Sequence, residues 1–272
     1  MNSYEELRRI ALKASSEAAA LLRDLACDDK YTAKVKGETI RADIESESYL
    51  VDLLRREVGG GLAVVSEERG LDGKPEGLVA IIDPLDGSTN YSSCIPWASV
   101  SVAFAKKGSS GWELVAGAVA PVFWGYPLSF LRGGGCFEGE ARARRKEHPP
   151  RVLSVYVERS QAASTVLRVL EELGEGYKVR SLGSSALEIS YVGLGRIAGF
   201  MDFRGRLRNV DIAAAIGVVM ECGGEVFGDD GLPLKIPVEE GVVRLGTVVA
   251  ASDAKVAAAA RKALRTAVGH EG

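Results

Sequence analysis

Amide and imidazole side chains are scarce in this chain. Asparagine stands only at 2, 90 and 209, glutamine only at 161, and histidine only at 148 and 270. Depletion of labile amides beside many arginines and glutamates points to a high working temperature. The four cysteines, Cys27, Cys94, Cys136 and Cys222, include no C-x-x-C pair. With only His148 and His270 as imidazole donors, the residues argue against a thiolate zinc site. The cysteines read as buried free thiols, with disulfide pairing as the alternative.

Long hydrophobic runs are also missing. No segment reaches the ~18 apolar residues that span a bilayer. The first residues, MNSYEELRRIALKASSEAAALLRDL, carry acids and lack an apolar h-region. They read as an amphipathic helix rather than a leader, and a cytoplasmic location with no membrane partner is the expectation. A basic excess is absent too. The formal net charge is −3, whereas a nucleic-acid binder needs a concentrated basic surface. The one basic run, ARARRKEHPPR (141–151), reads as a solvated loop.

What is present is an ordinary core former: 272 residues, 46% hydrophobic and 26% charged, enough for one large domain or two fused halves. Helical periodicity covers 4–27 and 44–58. GGGLAVVSEERG (59–70) is a glycine turn and a short strand followed by two acids. WASVSV…GGGCF (97–137) has the short β-rich runs and glycine turns of an antiparallel meander. From 151 the pattern is strand (151–160), helix (161–174), strand, glycine–serine turn, helix, strand, a helix over 210–224, a last strand and a last helix. Strands and helices alternate throughout, so the fold class is α/β or α+β. The 138–151 loop is the candidate boundary between halves.

The chemistry concentrates where apolar runs end in acids. Glu67 and Glu68 follow LAVVS, Asp83 and Asp86 follow LVAII, and Asp211 opens a helix. Carboxyl ends of neighbouring strands converge on one crevice in α/β sheets. Hard oxygen donors in that number suit Mg²⁺ or Mn²⁺. An EF-hand is excluded, because position twelve from Asp83 is Cys94 rather than a bidentate glutamate. In DGST, Gly87 allows close backbone approach, and Ser88 and Thr89 offer hydroxyls to phosphate oxygens. Taken singly, DPLDG is a good turn, Glu67–Glu68 a solvated pair and Asp211 a helix N-terminal acid. Together they fit metal-assisted phosphoryl hydrolysis.

DPLDGSTN (83–90), SEE (66–68), VDIAA (210–214), LGSSALEISYVGLGRIAGFMD (182–202) and SFLRGGGCFEG (129–139) resemble, in order, the motifs of the inositol monophosphatase family. The resemblance implies a layered αβαβα sandwich of the sugar-phosphatase type, a single domain over 1–272. Its first half (1–140) would bind metal and phosphate, and its second (150–272) substrate. It implies metal ligands Glu67, Asp83, the Leu85 carbonyl, Asp86 and Asp211, holding two or three Mg²⁺. Asp86, Gly87, Ser88, Thr89 and Ser185 would contact the substrate. Ser88, hydrogen-bonded to Asp43 of TIRAD, would orient the attacking water, so Asp43, Glu67, Asp86 and Ser88 form the catalytic set. Lys36 and Glu38 lie in the loop expected to complete a metal site. A homodimer is the family's habit.

The departures bear on substrate. Many inositol-specific relatives carry glutamate seven residues before the helix aspartate, where Arg204 stands here. With Arg180, it suggests a second anionic contact, as in the archaeal subgroup that hydrolyses both fructose 1,6-bisphosphate and inositol 1-phosphate. A surface ion pair is the other reading of Arg204. Arg206 and Arg208 read as solvated. A 3′-phosphoadenosine nucleotide phosphatase and a non-catalytic phosphate or metal sensor are the alternatives to the dual phosphatase.

Overall fold

Residues of alternating orientation along the strands sort into separate cores, and this builds the layers. The computed structural model describes residues 2–109, 111–158 and 160–268, so His270 lies outside the described residues. The first half runs α1 (Tyr4–Asp24), α2 (Asp29–Thr32), β1 (Lys34–Lys36), β2 (Thr39–Ile40), α3 (Arg41–Val58), β3 (Ala63–Ser66), β4 (Gly70–Asp72), β5 (Leu78–Asp86) and α4 (Ser88–Ser92). It continues through the meander β6 (Ser99–Gly108), β7 (Gly111–Pro121), β8 (Leu128–Leu131), β9 (Gly135–Glu138) and β10 (Ala141–Arg142). The second half runs β11 (Val152–Tyr156), α5 (Ser160–Leu173), β12 (Lys178–Arg180), α6 (Ser185–Gly193), β13 (Gly199–Asp202), α7 (Asn209–Glu221), β14 (Glu225–Phe227), β15 (Val248–Ala251) and α8 (Ala254–Val268).

Eight strands form one sheet in the order β10-β9-β8-β7-β6-β5-β3-β4, and five form a second in the order β12-β11-β13-β15-β14. The first is antiparallel except for β3 beside β5. On β6, Val100, Val102 and Phe104 pack with α1 and α3, while Ala103 and Ala105 face α6 and α7. On the second sheet, Phe200, Val248 and Ala250 face α6 and α7, while Leu153, Val155, Met201 and Val249 pack with α5 and α8. The order of layers is therefore helix, sheet, helix, sheet, helix.

At Gly217, α7 packs closely on the first sheet. A side chain at Gly217 would collide with the ring of Phe130 on β8. Fully burying an aromatic or leucine side chain contributes about 1.5–3 kcal/mol. Tyr91, Phe104, Phe130, Phe200 and Phe227 are all fully buried.

The cysteines overturn the expectation of free thiols. Cys27, after α1, pairs with Cys94, after α4, and Cys136 on β9 pairs with Cys222 at the end of α7. Their Cα atoms are 5.5 and 5.4 Å apart, within the range a disulfide requires. The partners are 67 and 86 residues apart in the chain, so spacing alone could not pair them. No described helix is long and apolar enough to cross a membrane.

Candidate metal centre

Two acids meet because two parallel strands end side by side. Ser66 of β3 is in register with Ile82 of β5, so Glu67 and Asp83 leave neighbouring strands together. Past Ile82 the ladder to β6 loses its register between Asp83 and Asp86, a bulge that accommodates Pro84, which has no N–H to donate. The bulge turns Asp83 and Asp86 to different partners. Asp83 Oδ1 accepts the Leu85 N–H at 3.1 Å, and the Pro84 carbonyl accepts the Ser46 hydroxyl at 2.7 Å.

The third acid arrives from the middle layer. Asp211 stands in the first turn of α7 and accepts the N–H of Arg208, the residue that caps the helix, at 2.8 Å. Glu67, Asp83 and Asp211 each bring a carboxylate oxygen within 4.8 Å of the others. Asp43 is held by the same local device at the start of α3, accepting the Ile40 N–H at 2.7 Å.

Burial and the repulsion of neighbouring carboxylates act on Asp83, Glu67 and Asp43. Burial, with Glu67, Asp86 and Asp211 nearby, raises Asp83 well above the usual carboxylate range. Burial also raises Glu67, against the opposing pull of Arg208. Asp43 is pushed to about 7 by burial, which outweighs its hydrogen bond from Ile40. A cluster of like-charged hard donors in apolar surroundings is the environment a divalent cation relieves, and the donor set fits Mg²⁺ or Mn²⁺.

Asp86 lies outside that trio. Its carboxylate accepts N–H groups from Ser185 (3.2 Å) and Ala186 (2.8 Å) at the start of α6, and the hydroxyls of Ser184 and Ser99. Burial still pushes it to about 7, outweighing the hydrogen bond from Ser184. Asp86 thus ties the first half to the second. Gly87 does the same through shape. Its φ is +95°, and a Cβ there would sit 2.9 Å from the Gly183 carbonyl oxygen and 3.0 Å from that of Trp97. Asn90 closes the joint, its Nδ2 donating to the carbonyls of Trp97 (2.9 Å) and Leu182 (2.7 Å).

Ser88 begins α4, with Thr89 exposed beside it. No hydrogen bond joins Ser88 to Asp43. Leu85 is buried, Ser185 is buried at the first turn of α6, and Arg180 is exposed on the edge strand β12. Lys36 and Glu38 are exposed on the small hairpin of β1 and β2. Arg204 is fully engaged. It pairs with both oxygens of Asp202 and with Glu158, and stacks 4.5 Å over the ring of Tyr156. No ion pair joins it to Glu67, Asp83 or Asp211.

Arg208 corrects the expectation of a solvated side chain. Its Nη2 lies 2.7 Å from Glu67 Oε1 and 2.8 Å from Asp211 Oδ1. Arg206 pairs with Glu158 and remains half exposed. Sequence reasoning also missed Glu188. This fully buried acid of α6 accepts the Tyr156 and Ser154 hydroxyls and the N–H groups of Leu182, Gly183 and Ser184. An acid inside the otherwise apolar stretch SALEISYVG was the available signal. The mixed cavity of about 330 Å³ lined by Trp112, Phe130, Ile216 and Met220 shares no residue with the acid centre.

A five-layered α/β sandwich with carboxylates gathered at strand ends and a helix start defines a class of phosphate-ester hydrolases that work through divalent cations. Comparison makes the assignment narrower. The profile of the inositol monophosphatase family matches residues 3–267, and the chain belongs to that family. It is 49% identical over 262 residues to the inositol-1-monophosphatase of Aeropyrum pernix, covering 94% of this chain and 97% of that one. It is 30% identical to the fructose-1,6-bisphosphatase/inositol-1-monophosphatase of Methanothermobacter thermautotrophicus, over 70% of each chain. The solved structure of the Thermotoga maritima enzyme titled IMPase superposes with a TM-score of 0.78 at 23% identity, over 97% of this chain and 98% of that one, and shares its fold.

Proposed function

We propose that this phosphatase-family chain is a Mg²⁺-dependent phosphomonoesterase. Its first substrate is inositol 1-phosphate, and its second is fructose 1,6-bisphosphate. The observation that carries this reading is the convergence of Glu67, Asp83 and Asp211. The names of the Aeropyrum and Methanothermobacter relatives support the two substrates in that order. The engagement of Arg204 by Asp202 and Glu158 also favours the monophosphate, since its charge is already paired with two carboxylates.

Glu67, Asp83 and Asp211 would hold the ion, with the Leu85 carbonyl and Asp86 completing the donor set. Bound there, divalent cations polarise phosphoryl oxygens and lower the pKa of water, the chemistry this ester requires. The protein's own share is placement. Gly87 lets backbone come close to the phosphate, and Ser88 and Thr89 present hydroxyls to its oxygens. Asp43, buried and near neutrality in its titration, is suited to exchange a proton with water. The second half holds the sugar or inositol ring against the loop that Glu188 anchors at 182–184.

Phosphate release at elevated temperature tests this on inositol 1-phosphate, fructose 1,6-bisphosphate and 3′-phosphoadenosine 5′-phosphate, each with Mg²⁺ and with chelator. Turnover of the first two, abolished by chelator and reduced by about 10³-fold or more in Asp83→Asn, is the expected result. Preference for the nucleotide, or an undiminished Asp83→Asn variant, overturns it.

A further inference from the structure

Arg208 occupies the coordination oxygens of the acid centre. Its fork bridges Glu67 Oε1 and Asp211 Oδ1, two of the three groups that gather there, and its Nε also donates to Asp211 Oδ1 at 3.0 Å. Each carboxylate oxygen has two lone pairs, yet two cations held on the same oxygens repel each other. A guanidinium and a metal ion are both electrophilic claimants for them.

We propose that Arg208 is a tethered cation that competes with the divalent ion for Glu67 Oε1 and Asp211 Oδ1, and so sets how tightly this centre binds metal. The proposal rests on the metal-centre reading above and concerns affinity and selectivity rather than the reaction itself. Three observations support it.

The backbone at this point is fixed independently of the side chain. The Arg208 N–H bonds Asp211 Oδ2, Asn209 N–H bonds the Val243 carbonyl at 2.9 Å, and Leu245 N–H bonds the Leu207 carbonyl at 2.7 Å. The guanidinium can therefore leave without disturbing the start of α7. Its side chain also keeps 29% of its surface in solvent, against 13% for Arg204, so an outward path exists. Finally, the charges do not balance. One guanidinium faces Glu67, Asp83 and Asp211, so it lowers the repulsion without abolishing the attraction for a second cation.

The competing explanation is that Arg208 holds the acids in place for the metal. The two roles predict opposite signs. A competitor, once removed, leaves a more negative centre, and metal binds more tightly. A positioner, once removed, leaves the acids splayed, and metal binds more weakly.

The test is Mn²⁺ binding to the full chain, followed by the loss of the free-ion signal in electron paramagnetic resonance. Wild type, Arg208→Gln, Arg208→Lys and Asp83→Asn are compared. Arg208→Gln is expected to tighten the Mn²⁺ Kd by about tenfold or more, the scale of one removed unit charge at close range. Arg208→Lys keeps the charge but not the fork and is expected to fall between. Asp83→Asn is expected to lose binding.

Equal or weaker binding by Arg208→Gln, with wild type binding and Asp83→Asn not, overturns the competition while the metal centre stands. Absence of binding by every protein overturns the metal reading and the proposal with it. Should Arg208→Gln fail to fold, the wild type decides. Titration with Mg²⁺ is expected to shift the Arg208 Nε–Hε resonance, identified by its loss in Arg208→Lys. A resonance that stays put at saturating Mg²⁺ overturns the proposal.

Discussion

Two arginines four positions apart, Arg204 and Arg208, each fork onto a pair of acids, yet they sit in different electrostatic settings. Around Arg204 the charges balance. Asp202 and Glu158 face Arg204 and Arg206, and Asp202 is fully buried. Around Arg208 acids are in excess, because Asp83 joins Glu67 and Asp211. A balanced network satisfies itself and has no use for a ligand. An unbalanced one stores repulsion that a bound cation relieves. Acids that follow apolar strand residues occur in both places, Asp202 after GFM and Asp83 after LVAII within β5, so that position does not by itself mark a site. The count of opposite charges around it does.

The comparison breaks most visibly at Arg204. Replacing it by methionine leaves the buried Asp202 carboxylate with the residue 204 N–H but no counter-charge, which is expected to cost about 4 kcal/mol of stability. The KM for inositol 1-phosphate should change little. Denaturant unfolding beside steady-state kinetics checks both. A large rise in KM for fructose 1,6-bisphosphate with stability intact would instead make Arg204 a substrate group.

The pH dependence sharpens the contrast. Asp43 and Asp86 titrate near 7 in the folded chain against about 4 when unfolded. Between those values the folded chain binds more protons than the unfolded one. The stability these groups contribute is therefore complete below about pH 4 and is lost as pH rises through 7. In the presence of chelator, unfolding free energy should fall steadily from pH 4 to pH 8. Mg²⁺ should remove most of that slope. A flat profile in chelator would mean that the acids are already compensated.

Gly87→Ala is the smallest of the three effects. It forces an L side chain to φ +95° and pushes a methyl against the Gly183 carbonyl. A loss of about 2 kcal/mol is expected, with reduced turnover because the two halves must separate locally. Thermal melting and phosphate release measure it. A fully active and stable variant would show that the joint between Asp86 and α6 has slack.

Much of this was readable along the chain. The apolar period placed α1, α3, α5 and α7 within a few residues, and the meander of β6 to β9 followed from its glycine turns. Glu67, Asp83 and Asp211 were readable because each breaks an apolar run or stands in the first turn of a helix. The disulfides, the turn of Asp86 onto α6, the anchoring role of Glu188 and the partners of Arg204 and Arg208 were not readable. Each depends on a group far away in sequence, Glu158 for Arg204, Glu67 for Arg208 and Tyr156 for Glu188, even where a near neighbour also bonds.

Sequence alone determined the local facts: which segments are amphipathic, where apolar runs give way to acids, and that a glycine follows Asp86 where backbone must come close. Those are properties of near neighbours, set by propensity, sterics and period. Tertiary structure decided which acids share a centre, which arginine opposes them and which cysteines pair. The layers bring β3, β5, α6 and α7 to one point, and charges interact through space rather than along the chain.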